Sequence, residues 1–168
     1  MNYSNQFGQL INDFELNLNQ SKVSRTSAGE IINSALNFIR NDLLDKAETT
    51  LLRHKGQMPA AGSALLGVIA GLRRNPKSCE TYFQKVIEDN NSEFNLVCLA
   101  GDFSRFFGLM QIAIKAYECA IFRSPHSGHA FLQRGQIYSE AGDVSAAIDD
   151  LHRAIILQPN LINAHISL

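Results

Sequence analysis

The sequence predicts an all-α protein in which antiparallel helix pairs stack into a solenoid. Small residues recur at a fixed offset of about 34 positions through most of the chain, which indicates a structural repeat. Between these small residues, apolar side chains follow the three- and four-residue spacing of amphipathic helices. Turn-forming glycine, asparagine and proline separate the helical stretches, so each repeat accommodates two helices.

The repeat is clearest in the last two units. A shift of 34 positions takes Gly142, Ala147, Leu151, Ala154 and Pro159 onto Gly108, Ala113, Tyr117, Ala120 and Pro125. Upstream, the same shift takes Gly135 onto Gly101, and a further shift takes Gly101 onto Gly67 and Tyr117 onto Phe83. An earlier unit, two residues out of register, keeps the same internal spacings at Ala35, Phe38, Ala47, Leu51 and Pro59. Four units are therefore predicted.

This pattern resembles the tetratricopeptide repeat, with small residues, an aromatic residue, alanine, a large residue, alanine and a closing proline. The resemblance covers residues 28–161, with units at about 28–59, 60–93, 94–127 and 128–161. The aromatic residue frequent near the start of each unit is replaced by Ile31, Ser63, Val97 and Phe131, since the chain has no tryptophan. The resemblance implies a right-handed superhelix whose concave face is lined mainly by the first helix of each unit.

Capping residues support the helix boundaries. Ser27 and Glu30 form a capping-box pattern before the first repeat helix. Four further residues stand at predicted N-caps, namely Asp42, Asn75, Ser127 and Asp143.

The N-terminal segment, residues 1–24, is predicted to hold one amphipathic helix from about Asn5 to Asn19, followed by a polar linker. Its apolar residues at helical spacing are Phe7, Leu10, Ile11, Phe14 and Leu18. Because repeat arrays need covered ends, a capping helix is the favoured interpretation. Insertion into the concave groove, where the helix would compete with partners, and a partner-binding arm are the alternatives.

At the other end, residues 162–168 read as the start of a further or capping helix, with apolar residues at Ile162, Ala164 and Ile166. Two turns cannot form a stable cap, so we expect the chain to be the front piece of a longer protein. A short native end and a dimer contact are the alternatives.

Composition and motifs argue against several function classes. The net charge of −1 gives no basic footprint for nucleic acid, and the apolar runs are too short for membrane insertion. Three cysteines without metal spacing suggest reduced thiols and a cytoplasmic protein. The stretch GSALLG, which starts at Gly62, has the glycine spacing of a phosphate loop, but Val68 stands where that loop requires lysine. His126, His129 and Cys119 have no further metal ligand at suitable spacing. We therefore expect no enzyme activity, no cofactor and no metal site.

The repeat offset also selects candidate groove residues on the first helices. They are Val68, Asn95, Cys98, Asp102, Arg105, Phe106, His129, Leu132, Gln136, Ser139 and Glu140. The groove is predicted to be apolar near the N-terminal units, at Ile32, Leu36 and Ala64, and polar near the C-terminal ones. This suits a protein or peptide partner with an apolar or amphipathic segment. The leading function is a non-catalytic adaptor. A regulatory or targeting module of a longer, enzymatic protein and a self-association module, such as a homodimer, are the alternatives.

Overall fold

A computed structural model describes residues 3–20, 26–57 and 59–160, and the elements along these ranges are helices. Nine α-helices are defined there: α1 (Tyr3–Gln20), α2 (Ser27–Arg40), α3 (Leu44–Arg53), α4 (Pro59–Leu72), α5 (Pro76–Glu88), α6 (Phe94–Phe106), α7 (Met110–Arg123), α8 (Gly128–Glu140) and α9 (Val144–Leu157). A short 3-10 helix, Lys55–Gln57, precedes α4. The predicted final helix at residues 162–168 lies outside the described residues.

The helices after α1 pack as four consecutive pairs, α2 with α3, α4 with α5, α6 with α7, and α8 with α9. Successive pairs are joined through contacts of α5 with α6 and of α7 with α8. This arrangement confirms the predicted all-α solenoid of helix pairs. The exact unit boundaries stay a sequence-based assignment.

In each of the last three pairs, the two helices come close together at one glycine of the first helix. Glycines Gly67, Gly101 and Gly135 on the first helices face Phe83, Tyr117 and Leu151 on the second helices, 16 residues later in every case. A Cβ atom added at Gly101 would lie 2.8 Å from the ring of Tyr117, which is too short for a real contact. The recurring glycine therefore makes room for the large side chain that fills the centre of the pair.

The structure confirms three of the predicted N-cap residues and contradicts two. The side chains of Asn75, Ser127 and Asp143 accept backbone N–H groups at the starts of α5, α8 and α9, as predicted. At α2 the N-cap is Thr26, which accepts from Gly29, and so the proposed Ser27 cap was wrong by one residue. Asp42 is not a cap either, because it adopts a left-handed turn conformation with φ of 58°.

The last pair carries a buried ion pair. Asp150 on α9 is 5% exposed, and its two carboxylate oxygens accept hydrogen bonds from Arg134 on α8 at 2.7 and 2.8 Å. These hydrogen bonds raise the pKa of Arg134. The guanidinium also lies against the rings of Phe131 and Tyr138, at 5.9 and 5.8 Å from their centroids. Asp149 points to solvent, so the two adjacent aspartates have separate environments, as their helical spacing predicts.

Replacing Gly101 with valine should destabilise the protein by about 1–3 kcal/mol, because the new side chain overpacks against Tyr117. Urea unfolding measures this loss. The control is Gly8→Val, since no atom lies within 4 Å of a Cβ added at Gly8. Equal unfolding midpoints for the two variants would show that the close approach at Gly101 is not tight.

Replacing Asp150 with alanine should lower the free energy of unfolding by about 3 kcal/mol, since it leaves the Arg134 charge half-buried without its carboxylate partner. The matched variant Asp149→Ala removes an exposed carboxylate from the neighbouring position and should cost less than about 0.5 kcal/mol. Thermal unfolding of both variants compares the two losses. Similar melting temperatures would contradict a structural role for the ion pair.

Candidate partner-binding groove

We call the surface formed by the first helices of the four pairs, α2, α4, α6 and α8, the groove. The N-terminal helix α1 packs against two of these helices, α6 and α2. A helix that only capped the array would contact the first pair alone. Reaching the third pair places α1 along the groove, so the favoured interpretation of α1 as an end cap was incomplete.

The apolar face of α1 is buried in this position. Ile11, Phe14 and Leu18 are 1%, 2% and 6% exposed, respectively. They belong to one continuous apolar cluster that includes the groove residues Ile32, Leu36, Ala64, Val68, Leu99 and Phe103. The sequence predicted an apolar half of the groove, and the residues of that half share one core cluster with the buried face of α1.

Aromatic contacts fix one part of α1 against α6. The ring of Phe7 lies 6.4 Å from that of Phe103 in an edge-on arrangement and 5.6 Å from that of Phe106, measured between centroids. Pairs of this geometry stabilise by about 0.5–1.5 kcal/mol beyond the apolar area that they bury. Phe106, one of the predicted groove residues, thus contacts a segment of its own chain.

Polar contacts fix another part of α1 against α2. The guanidinium of Arg40 donates to the Glu15 carboxylate at 2.6 Å and to the Asn12 side-chain oxygen at 3.1 Å. The hydrogen bond from Arg40 lowers the pKa of Glu15. Because both side chains are partly exposed, this ion pair orients α1 against α2 more than it stabilises the docking of α1.

The polar half of the groove is organised by Arg105. Its guanidinium on α6 donates to the side-chain oxygens of Gln133 and Gln136, both at 3.0 Å, and to the carboxylate of Glu140. All three acceptors lie on α8. Arg105 therefore ties two neighbouring first helices together and is already engaged before any partner arrives.

Asp102 is the most unusual groove residue. Its carboxylate accepts a 2.7 Å hydrogen bond from the hydroxyl of Tyr117, the fully buried residue that packs against Gly101. Burial raises the pKa of Asp102, whereas the Tyr117 hydrogen bond and the nearby His129 and Arg105 lower it. The carboxylate of Asp13 on α1 acts in the opposite direction and raises this pKa further. Asp13 is therefore within electrostatic range of Asp102.

The predicted groove residues fall into three environments. Val68, Cys98 and Leu132 are buried, Asp102, Arg105, Phe106 and Gln136 are half-buried, and Asn95, His129, Ser139 and Glu140 are exposed. The first three are not accessible in this structure, because their side chains pack into apolar clusters, and the cluster that contains Val68 also contains the buried face of α1. Asp102, Arg105, Gln136 and Glu140 do lie together, around the contact between α6 and α8.

The residues that the sequence analysis missed at this surface are Phe7, Asp13 and Gln133. Phe7 was assigned to the apolar face of α1, but nothing in its spacing indicated α6 as its contact. Gln133 lies outside the lanes defined by the repeat offset, and only its hydrogen bond to Arg105 brings it into the groove. Asp13 carried no signal, since an acidic residue on an amphipathic helix normally faces solvent.

The described residues bear on metal binding, on membrane crossing and on thiol reactivity. Among the described residues, no group of three or more His, Cys, Asp or Glu side chains is placed to hold a metal ion. In the same part of the chain, none of the helices combines the length and hydropathy needed to cross a membrane. Burial raises the pKa of the Cys79 and Cys98 thiols to about 12, which disfavours nucleophilic thiolates at neutral pH.

Comparison with known proteins gave matches at the level of structure. No family model matches the chain, and no curated protein matches it. Among solved structures, the chain resembles MamA with a TM-score of 0.60, 18% identity and coverage of 79% of both chains. It resembles a tetratricopeptide repeat protein from Parabacteroides merdae with a TM-score of 0.62 and 17% identity, over 83% of this chain and 56% of that one.

A third match is the Cut9–Hcn1 hetero-tetramer of the APC/C, with a TM-score of 0.57, 17% identity and coverage of 82% of this chain. This chain spans only 28% of the length of that one. At these identities the likeness concerns the fold. The stacked helix pairs, the recurring glycine approaches and these structural neighbours together show that the chain has a tetratricopeptide-repeat-like helical solenoid fold.

Proposed function

We propose that the chain is a non-catalytic protein-interaction scaffold whose groove binds an amphipathic segment of a protein partner, and that α1 competes with this partner. The observation that carries the proposal is the packing of α1 against α2 and α6 with Ile11, Phe14 and Leu18 buried. A surface that accommodates one amphipathic helix in cis offers the shape and apolar character needed for another in trans.

Competition follows from linkage within one chain. A helix joined to its own binding site by a short linker experiences an effective concentration of about the millimolar range. A partner therefore has to bind the groove more tightly than α1 does, or bind while α1 is undocked. The fraction of open chains then sets the apparent affinity for the partner.

The character of the groove supports a partner with both apolar and polar contacts. Its apolar part would receive the hydrophobic stripe of the partner, and the exposed side chains of Asn95, His129 and Ser139 extend the surface beyond Asp102. The Arg105 network keeps α6 and α8 in fixed relation, so binding on this side requires little ordering of the scaffold. We place this activity in the cytoplasm, consistent with the free thiols of Cys79, Cys98 and Cys119.

Self-association is a second candidate, favoured by apolar side chains exposed on the second helices of the last two pairs. Phe122 on α7 is 87% exposed, while Val144 and Ile156 on α9 are 63% and 71% exposed. Phe122 and Ile156 are one repeat apart, so they occupy equivalent positions. A second copy of the chain is the occupant that this candidate requires. The alternative role as a module of a longer protein stays a prediction.

Replacing Phe14 with alanine should open the groove. Truncating a buried phenylalanine costs about 3–5 kcal/mol, which corresponds to a shift of at least about 100-fold toward undocked α1. Hydrogen exchange of the α1 amides measures the change. The control is Leu16→Ala on the same helix, because Leu16 is 57% exposed. Slow exchange of α1 in both variants would contradict docking through the Phe14 face.

The same pair of variants tests binding in trans. A synthetic peptide with the sequence of residues 3–20 should bind the full-length Phe14→Ala chain at least about tenfold more tightly than the unaltered chain, because the groove of the variant is vacant more often. Fluorescence anisotropy of a labelled peptide measures this. The Leu16→Ala chain should behave like the unaltered one. Equal affinity for all three chains would contradict competition by α1.

Self-association has a separate test. Light scattering across a range of protein concentrations should show a dimer that the single change Ile156→Lys converts to a monomer, since a charge would enter the apolar contact. His152→Lys adds a charge at another exposed position on the same helix and serves as the control. A monomer at every concentration would rule out this candidate and leave the groove proposal unaffected.

A further inference from the structure

One cation of the groove makes its hydrogen bonds to α1. Within the described parts of α2, α4, α6 and α8, the cationic side chains are Arg40, Arg105 and Arg134. Arg105 is bonded to side chains of α8, and Arg134 is bonded to the second helix of its own pair, α9. Arg40 instead donates to Glu15 at 2.6 Å and to Asn12 at 3.1 Å, both on α1. Arg40 is therefore the groove cation that loses its described acceptors when α1 leaves.

The apolar stripe of α1 has no direction of its own. Its anchors are separated by four, three and four residues, namely Phe7, Ile11, Phe14 and Leu18. The last three are buried, and Phe7 packs against the same cluster. This spacing reads identically from either end, and the burial of apolar surface is non-directional. The stripe therefore supplies affinity, but it discriminates poorly between the two directions that a helix could take in the groove.

The contacts of Arg40 remove this ambiguity. Asn12 directly follows Ile11, Glu15 directly follows Phe14, and the two polar residues are three positions apart, so they share one flank of the stripe. A helix turned end to end in the groove would carry this flank away from Arg40. A shift by one helical turn would move the Glu15 carboxylate by about 5.4 Å, which is beyond the reach of a hydrogen bond. The ion pair thus selects both direction and register.

We propose that Arg40 is the specificity-determining residue of the groove, and that the partner is an amphipathic helix with four apolar anchors at this spacing and an acidic side chain directly after the third. This inference rests on the proposed function, because it names the chemistry of the segment that would displace α1. The partner's acid would take the place of Glu15 on the Arg40 guanidinium, and a polar side chain three residues earlier would take the place of Asn12.

Such a pair acts through discrimination more than through affinity. The side chains of Arg40 and Glu15 are 33% and 38% exposed, and ion pairs at partly exposed positions contribute little to a bound state. Helices with the same apolar stripe bury similar area, so the groove would otherwise bind them alike. A lysine or arginine at the position of the acid would place two cations together, and this repulsion excludes that class of helix.

Peptides of residues 3–20 test this proposal. They carry the unaltered sequence, Glu15→Gln, Glu15→Lys or Asp13→Asn, and each is titrated into two full-length chains, Phe14→Ala and Phe14→Ala with Arg40→Glu. Glu15→Gln and Asp13→Asn change the peptide charge by the same amount, but the described hydrogen bond of the Asp13 carboxylate is to Gln9 within α1. Affinity ratios are compared within each chain, so that altered docking of α1 itself cancels. Circular dichroism establishes the helicity of each peptide and the folding of both chains.

In the chain that keeps Arg40, Glu15→Gln should weaken binding by about threefold and Glu15→Lys by at least about tenfold, whereas Asp13→Asn should not weaken it. In the Arg40→Glu chain the order should reverse, with Glu15→Lys binding at least about threefold more tightly than the unaltered peptide. Because the pair is partly exposed, these differences should shrink at high salt. Fluorescence anisotropy of labelled peptides measures them.

Two results would overturn the proposal. Equal weakening by Glu15→Gln and Asp13→Asn would mean that overall charge decides affinity, and the same ranking of the peptides in both chains would mean that Arg40 is not the contact. A third result has a different target. If the unaltered peptide fails to bind the Phe14→Ala chain at millimolar concentration, the groove is not a helix-binding site and the proposed function itself fails.

Discussion

The close approach between the two helices of a pair is the constraint on which the rest of the structure depends. Gly67, Gly101 and Gly135 have no side chain at the crossing, so Phe83, Tyr117 and Leu151 can fill it. Because this contact repeats along the chain, the pairs stack in a regular way and their first helices form one continuous surface. The middle contact does more, since the Tyr117 that packs against Gly101 also holds the Asp102 carboxylate in the groove. Core packing and the electrostatics of the proposed binding surface are therefore linked through a single side chain, that of Tyr117.

In the function that we propose, α1 is the resident ligand of the groove. Its apolar half shares a core cluster with α1, whereas its polar half is braced by Arg105 and remains partly open to solvent. A scaffold of stacked helices can expose such a surface without unfolding, because the contacts within each pair are made between helices other than α1. The apolar area that α1 covers nevertheless makes the empty groove costly, so we expect it to be filled by one helix or another.

Much of the fold could be predicted because its sequence signals act over a few residues and recur in each repeat. Glycine and alanine at a fixed offset, three of the N-caps and the closing prolines all act over a few residues. The groove was harder, since the repeat offset relates equivalent positions but does not give their depth. Val68, Cys98 and Leu132 were selected as lining residues and are buried. The location of α1 could not be derived either, because an amphipathic helix indicates that it buries a face but not against which surface. Asp42 failed as a cap for a similar reason: aspartate also suits left-handed turns, and the sequence does not distinguish the two.

The central claim is that α1 and a partner helix occupy the same groove, and one measurement tests it most directly. Cysteines replacing Phe7 and Phe106, whose rings lie 5.6 Å apart, can be joined by a short bismaleimide in a chain whose three natural cysteines are changed to alanine or serine. Binding of the residue 3–20 peptide is then compared before and after cross-linking. We predict efficient cross-linking within one chain and loss of peptide binding by the cross-linked form. Peptide binding that is unchanged after cross-linking would contradict a shared groove.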